Sequence, residues 1–255
     1  MSKIIAIANQ KGGVGKTTTA INLGAGLTVL CKSVLIIDLD PQANATSGLG
    51  FDKNTITKGI YEIMLDEENI SNVILNTDIE WLDIIPATIN LIGAEIELVN
   101  MLSRETKLKN AIYQLKEIYD YIFIDCPPSL GLLTVNALTC ADTVLIPIQC
   151  EYFAMEGLTQ LLKTIQLVRQ QLNQNLELEG ILLTMYNSRI NLSTQVLNEV
   201  KKFFGNKVYN TIIPRNVRLA EAPSYGKSIL EYAKSSKGAK EYFNLAEEFL
   251  GLQTY

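Results

Sequence analysis

The chain has 255 residues, 47% of them apolar and 19% charged, enough to bury a large core in one α/β unit. It contains no histidine, which removes Ser-His and Cys-His nucleophilic catalysis and most zinc chemistry. The net charge of −5 is unevenly divided: residues 189–240 hold ten Lys and Arg against three Glu, or +7, and the remainder holds twelve basic and twenty-four acidic residues, or −12.

The N-terminus carries one lysine and an apolar run too short for a secretion signal, and no apolar run approaches the ~18 residues of a membrane span, so the expected location is the cytoplasm. Lys3 to Ala8 is short and β-branched enough for a buried strand. Asn9 to Thr18 follows as a Gly-rich turn, and Thr19 to Leu27 has the apolar spacing of a helix. Strand, Gly-rich turn and helix are what a phosphate-binding loop requires. Gly12, Gly13 and Gly15 leave room for a phosphate to approach the backbone, whose N–H groups form an anion nest at a helix N-terminus. Lys16 would reach the β- and γ-phosphates and the Thr17 hydroxyl would ligate Mg²⁺. The pattern G-x-x-x-x-G-K-[ST] is departed from at Gln10, and a second lysine, Lys11, precedes the glycines. A dinucleotide fingerprint fits poorly, because Thr18 stands where its third glycine belongs.

Ser33 to Pro41 reads as a second buried strand, ending in Asp38 and Asp40 on the rim where open α/β sheets bind ligands. Two apart, these carboxylates are expected on one side of the strand, with a cation or water between them. Asn44 to Gly50 is expected as a flexible turn, Ile60 to Leu65 as a short helix, Trp81 to Pro86 as a strand, and residues 92–118 as a crossover helix bearing Ile96, Val99, Leu102, Leu108, Ile112 and Leu115. Tyr121 to Pro128 is a third buried strand capped by a carboxylate, Asp125, the usual support for Mg²⁺ beside a phosphate loop.

Strands at Thr143–Ile148 and Leu178–Leu183 and a helix over Ala154–Leu172 complete an alternation that predicts a mostly parallel twisted sheet flanked by helices, in a single domain over 1–255. In the basic third, a helix over Leu192–Phe204 carries Lys201 and Lys202, Val208–Ile213 reads as a strand, Pro214 to Lys227 as a loop, and Ala239–Leu250 as the last helix. Cys31, Cys126, Cys140 and Cys150 show no metal-ligand spacing; three lie beside expected strands or helices and read as small buried hydrophobes.

Lys11-Gly12-Gly13-Val14-Gly15-Lys16-Thr17-Thr18, Asp38 to Asn44, Ile124 to Ser129, Gln149 to Leu158 and Ile213 to Arg218 together resemble the ParA/Soj partition ATPases, in the MinD-like branch of deviant P-loop proteins, essentially end to end. The resemblance implies ATP and Mg²⁺ as cofactors and two subunits closing over two ATP molecules. In it, Lys11 reaches the partner subunit's phosphates like an arginine finger, Gly12 lies where the loops meet, and Asp40 orients the attacking water. Asp38 and Asp125 with Thr17 support Mg²⁺, Pro214 and Asn216 contact the adenine, and Glu151 lines the cross-subunit nucleotide face. It also implies slow basal hydrolysis, a ParB/Spo0J-like activator that docks partly on the body of the protein, a nucleoid-associated location, and non-specific double-stranded DNA binding by the ATP-bound homodimer. Arg189, Arg218 and Lys227 are the leading candidates for DNA contact, with Lys201 and Lys202 behind them.

The rival is a MinD-like membrane-cycling cell-division ATPase, which shares the nucleotide motifs. Its basic amphipathic terminal helix is replaced here by an acidic segment over Asn244–Leu252, so no membrane contact is expected. Nitrogenase-like reductases need cluster-ligating cysteines that these four do not supply, and a non-catalytic scaffold that only binds nucleotide is a third class, which Asp40→Ala would rule out by abolishing turnover but not binding.

Overall fold

The computed structural model describes residues 2–151 and 154–252. Its elements in chain order are β1 (Lys3–Ile7), α1 (Lys16–Val29), β2 (Val34–Asp38), α2 (Asn44–Gly48), α3 (Ile60–Met64), β3 (Leu75–Asn76), β4 (Leu82–Ile85), α4 (Leu91–Glu97), α5 (Lys107–Ala111), β5 (Tyr121–Asp125), α6 (Leu132–Cys140), β6 (Thr143–Gln149), α7 (Ala154–Gln171), β7 (Glu177–Thr184), α8 (Asn191–Phe204), α9 (Val217–Glu221), α10 (Ile229–Tyr232) and α11 (Lys237–Phe249), joined by short 3₁₀ turns. Seven strands form one sheet in the order β3-β4-β2-β5-β1-β6-β7. All neighbours run parallel except the short edge strand β3, which is antiparallel to β4.

The strands are apolar without alternation because both faces are covered. Successive residues feed opposite cores: Ile4, Ala6, Leu35 and Ile37 pack on one face, and Ile5, Ile7, Val34 and Ile36 on the other, under α1 and α11. Tyr242, Leu245 and Ala246 of α11 are buried there, and the Tyr242 hydroxyl lies 3.2 Å from that of Thr19 on α1. Cys126, Cys140 and Cys150 are buried as expected, and Cys31 is exposed. Among the described residues no helix is long and apolar enough to cross a membrane.

The structure corrects the sequence reading at four places. Residues 92–118 are not one helix: Met101 is extended and Ser103 left-handed, so the chain breaks into short helical pieces. The stripe expected to face inward fails in its first half, where Ile96 and Leu102 are 71% and 92% exposed; Leu91, Ala94 and Leu98 are buried instead. Asn44 to Gly48 is a helix and not a flexible turn, its Ala45, Thr46 and Gly48 buried. Residues 208–213 make only an isolated bridge to β7, because the N–H groups of Asn210 and Thr211 donate to the Glu248 carboxylate in place of a neighbouring strand. The stretch expected as a loop after Pro214 contains α9 and a 3₁₀ turn over Ala222–Tyr225.

Candidate nucleotide and metal site

β1, β2 and β5 are adjacent and end together, so the Gly-rich loop, Asp38 and Asp125 share one rim. Asn9 holds the loop's entry: its amide donates to the Pro147 carbonyl at 2.7 Å, and its oxygen accepts the Lys11 N–H at 2.9 Å. Gly13 and Gly15 have φ of +72° and +92°, angles a side chain resists. The loop's exit is held by the Thr184 hydroxyl, which donates to the Val14 carbonyl at 2.8 Å. α1 begins at Lys16 with no acidic residue in its first turn, leaving its N-terminal N–H groups to an anion.

Lys16 is buried and donates back to the Lys11 carbonyl at 3.4 Å. Burial lowers its pKa, opposed by the neighbouring Asp125 and Asp40 carboxylates. The Thr17 hydroxyl donates to Asp125 Oδ2 at 2.6 Å, while Asp125 Oδ1 is buried and, among the described residues, has no hydrogen-bond partner. Burial and the adjacent Asp38 push the Asp125 pKa well up, and burial pushes Asp38 to about 6. Crowded buried carboxylates with one open oxygen beside the Thr17 hydroxyl fit a divalent cation. The described residues contain no group of three acidic or cysteine side chains able to hold a metal alone, so phosphate and water would complete its shell.

Asp38 and Asp40 are not two positions of one strand, as the same-side pairing expected. The strand ends at Asp38, and Asp40 stands in the following loop, 8% exposed, with Oδ1 accepting the Gln42 N–H at 2.9 Å. Asp38 is completely buried; its Oδ2 accepts the N–H and hydroxyl of Thr46 at 2.8 and 2.7 Å, and its Oδ1 accepts the Asp40 N–H at 3.3 Å.

Lys11 turns toward Glu151, Nζ to Oε2 3.0 Å, and the Gln149 amide donates to the other Glu151 oxygen at 2.5 Å. Both partners of the ion pair are more than a third exposed, so it is a weak tether. Tyr152 and Phe153 of the same motif lie outside the described residues. A mainly apolar cavity of about 350 Å³ opens beside the loop, lined by Gly15, Thr18, Ile213, Pro214, Asn216 and Tyr242 among others, large enough for a nucleoside. Asn216 Oδ1 already accepts the Arg218 N–H at 2.8 Å, leaving its NH₂ for the cavity.

Arg189, Arg218, Lys227, Lys201 and Lys202 are all exposed. Arg189 stands in the loop after β7 and Arg218 in α9; the segments leading to them are joined through the Arg215 N–H, which donates to the Tyr186 carbonyl at 3.0 Å. Arg218 pairs with Glu221 at 2.8 Å. Lys201 lines a different cavity with Glu179 and Glu248, toward the opposite end of β7 from Arg189. Sequence reasoning missed Thr46, Thr184 and Asn9, and also the exposed Arg215, which sat inside a motif already singled out.

A family model described as an AAA domain matches residues 2–178. The chain is 59% identical to the sporulation initiation inhibitor protein Soj of Bacillus subtilis, covering 97% of this chain and 98% of that one. It is 53% identical to the chromosome partitioning protein ParA of Myxococcus xanthus, covering 100% and 90%. A solved structure titled cobyrinic acid a,c-diamide synthase of Mycobacterium smegmatis, with bound ATP analog and magnesium, superposes with a TM-score of 0.86 at 40% identity, covering 98% of this chain and 95% of that one.

Proposed function

The chain belongs to the Soj/ParA family of chromosome-partitioning ATPases, and from that premise we propose that it is an ATP-driven DNA-partitioning switch. ATP and Mg²⁺ bind at the rim, two copies close face to face, the closed pair holds DNA without sequence preference, and hydrolysis returns it to monomers. The observation that carries this reading is the Thr17–Asp125 pair beside the phosphate loop, with Asp125 Oδ1 buried and open.

Each residue's part follows from its position. The N–H groups at the start of α1 and the Lys16 ammonium would hold the phosphates, Lys16 exchanging its bond to the Lys11 carbonyl for one to a phosphate oxygen. Thr17 and Asp125 would hold magnesium, which when bound neutralises charge on the phosphates. Asp40, whose Oδ1 accepts the Gln42 N–H, would orient the attacking water. Lys11, released from Glu151, would reach the partner's nucleotide as a finger in trans. Pro214 and Asn216 would line the adenine, with Glu151 on the cross-subunit face.

A site with no arginine finger in cis turns over slowly, because such positive charge contributes ~10³–10⁵ in rate. DNA and a ParB/Spo0J-like activator are therefore assigned the role of stimulating hydrolysis. Arg189, Arg218 and Lys227, with Lys201 and Lys202 more distant, would contact phosphate oxygens, which carry no sequence information; this makes the chain nucleoid-associated. The deciding experiment is gel filtration with a DNA mobility assay under ADP and under a slowly hydrolysed ATP analogue. The wild type should dimerise and shift DNA only with the analogue, and Lys16→Ala should do neither. A wild-type protein that stays monomeric when saturated with the analogue and Mg²⁺ would rule the proposal out.

A further inference from the structure

The loop that carries Asp40 starts from one bond to the sheet, the Leu39 N–H donating to the Asp125 carbonyl at 3.0 Å. β2 ends at Asp38, the chain leaves the sheet, turns through a left-handed Ala43 at φ +52°, and enters α2. One buried carboxylate joins the two ends of that excursion: Asp38 Oδ1 accepts the Asp40 N–H, and Asp38 Oδ2 accepts both the N–H and the hydroxyl of Thr46. Thr46 is itself fully buried, and its hydroxyl oxygen accepts the Ala87 N–H at 3.1 Å from the segment that follows β4. Its one proton goes to Asp38 and one of its two lone pairs to Ala87, so the hydroxyl both donates and accepts.

We propose that Thr46 is a positioning residue for ATP hydrolysis: by holding Asp38, it fixes the 39–43 loop so that the Asp40 carboxylate stands at the rim of the phosphate site. The inference rests on the ATPase reading above. It also divides the labour between the two buried carboxylates. Both oxygens of Asp38 accept hydrogen bonds from the chain it fastens, whereas Asp125 has an oxygen left over for a cation. Asp38 thereby acts mainly on the loop, and Asp125 on the metal.

Other residue types do not reproduce the arrangement. Valine matches the shape of threonine but offers neither donor nor acceptor, stranding Asp38 Oδ2 with one bond and the Ala87 N–H with none. Serine keeps the oxygen and loses a methyl group. Serine and alanine differ only by that oxygen, so their comparison remains informative even where the valine variant does not fold.

The test is single-turnover ATP hydrolysis with Mg²⁺ and double-stranded DNA, protein in excess, alongside nucleotide affinity and a thermal melt, for wild type and Thr46→Val, Thr46→Ala and Thr46→Ser. We expect Thr46→Val and Thr46→Ala to slow the hydrolytic step about 10- to 100-fold while ATP affinity stays within about threefold, and Thr46→Ser to recover most of the rate. Hydrolysis by Thr46→Ala at the rate of Thr46→Ser overturns the inference, as does a loss of ATP affinity that matches the loss of rate. A wild type that binds ATP and never hydrolyses it overturns the functional reading itself, and this role with it.

Discussion

Gly226 and Gly50 meet backbone to backbone: a Cβ added to Gly226 would stand 2.4 Å from the Gly50 Cα, and one added to Gly50 would stand 3.3 Å from the Gly226 carbonyl. Both residues have positive φ, +63° and +91°. The contact joins the end of α2, whose Thr46 fastens the Asp40 loop, to the turn that presents Lys227. A change at either segment therefore has a short route to the other. Gly226→Ala must push the two backbones apart in a conformation that disfavours a side chain. Its cost should be about 1–3 kcal/mol, a melting temperature lower by roughly 2–10 °C. In the DNA mobility assay it should weaken binding with the ATP analogue while nucleotide affinity is retained.

The two lysines of the phosphate loop should separate cleanly. Lys16 is buried against its own site, so Lys16→Ala should abolish ATP binding by the monomer. Lys11 is exposed and paired with Glu151, so Lys11→Ala should retain ATP binding by fluorescent-nucleotide titration. If it acts in trans, its turnover should fall by about 10³-fold or more. Wild-type turnover by Lys11→Ala would remove the trans role.

Glu151→Gln tests whether the Lys11 pair supports the fold. With both partners over a third exposed, urea denaturation should register a change of no more than about 0.5 kcal/mol. A larger loss would show that the pair stabilises the resting subunit.

Salt dependence should sort the basic residues. Arg189→Glu and Arg218→Glu change two segments joined through the Arg215 N–H, and each lost phosphate contact lowers the slope of log affinity against log salt by about 0.9. Lys201→Glu, toward the other end of β7, should matter less. Equal losses across all three would place the DNA on a broader face.

Tyr242→Phe removes a buried hydroxyl bonded to Thr19 across α1 and α11. The expected cost is about 1 kcal/mol in chemical denaturation. Because Tyr242 also lines the nucleoside cavity, nucleotide affinity is the second measurement to make on this variant.

The six parallel strands, the phosphate loop and the carboxylates at the rim were legible in the chain itself, whereas the short edge strand β3 was not. β2 and β5 are apolar runs that end in Asp38 and Asp125, β1 is one that leads into the Gly-rich loop, and the rule that parallel strands bind at their carboxyl ends supplied the rest. The 92–118 region misled because its apolar residues recur at helical spacing on a face that turned out exposed, and nothing in that spacing records the break at Ser103. Residues 208–213 look like a strand, but a carboxylate from α11 takes their N–H groups. Tertiary structure alone decided that Asp38 fastens a loop through Thr46, that Lys11 meets Glu151, and that Tyr242 and Pro214 close one cavity with Gly15. Residue type and order specify what each segment can form. Which distant side chain satisfies a buried oxygen, or shares a pocket, is set by the packing of the two layers on the sheet.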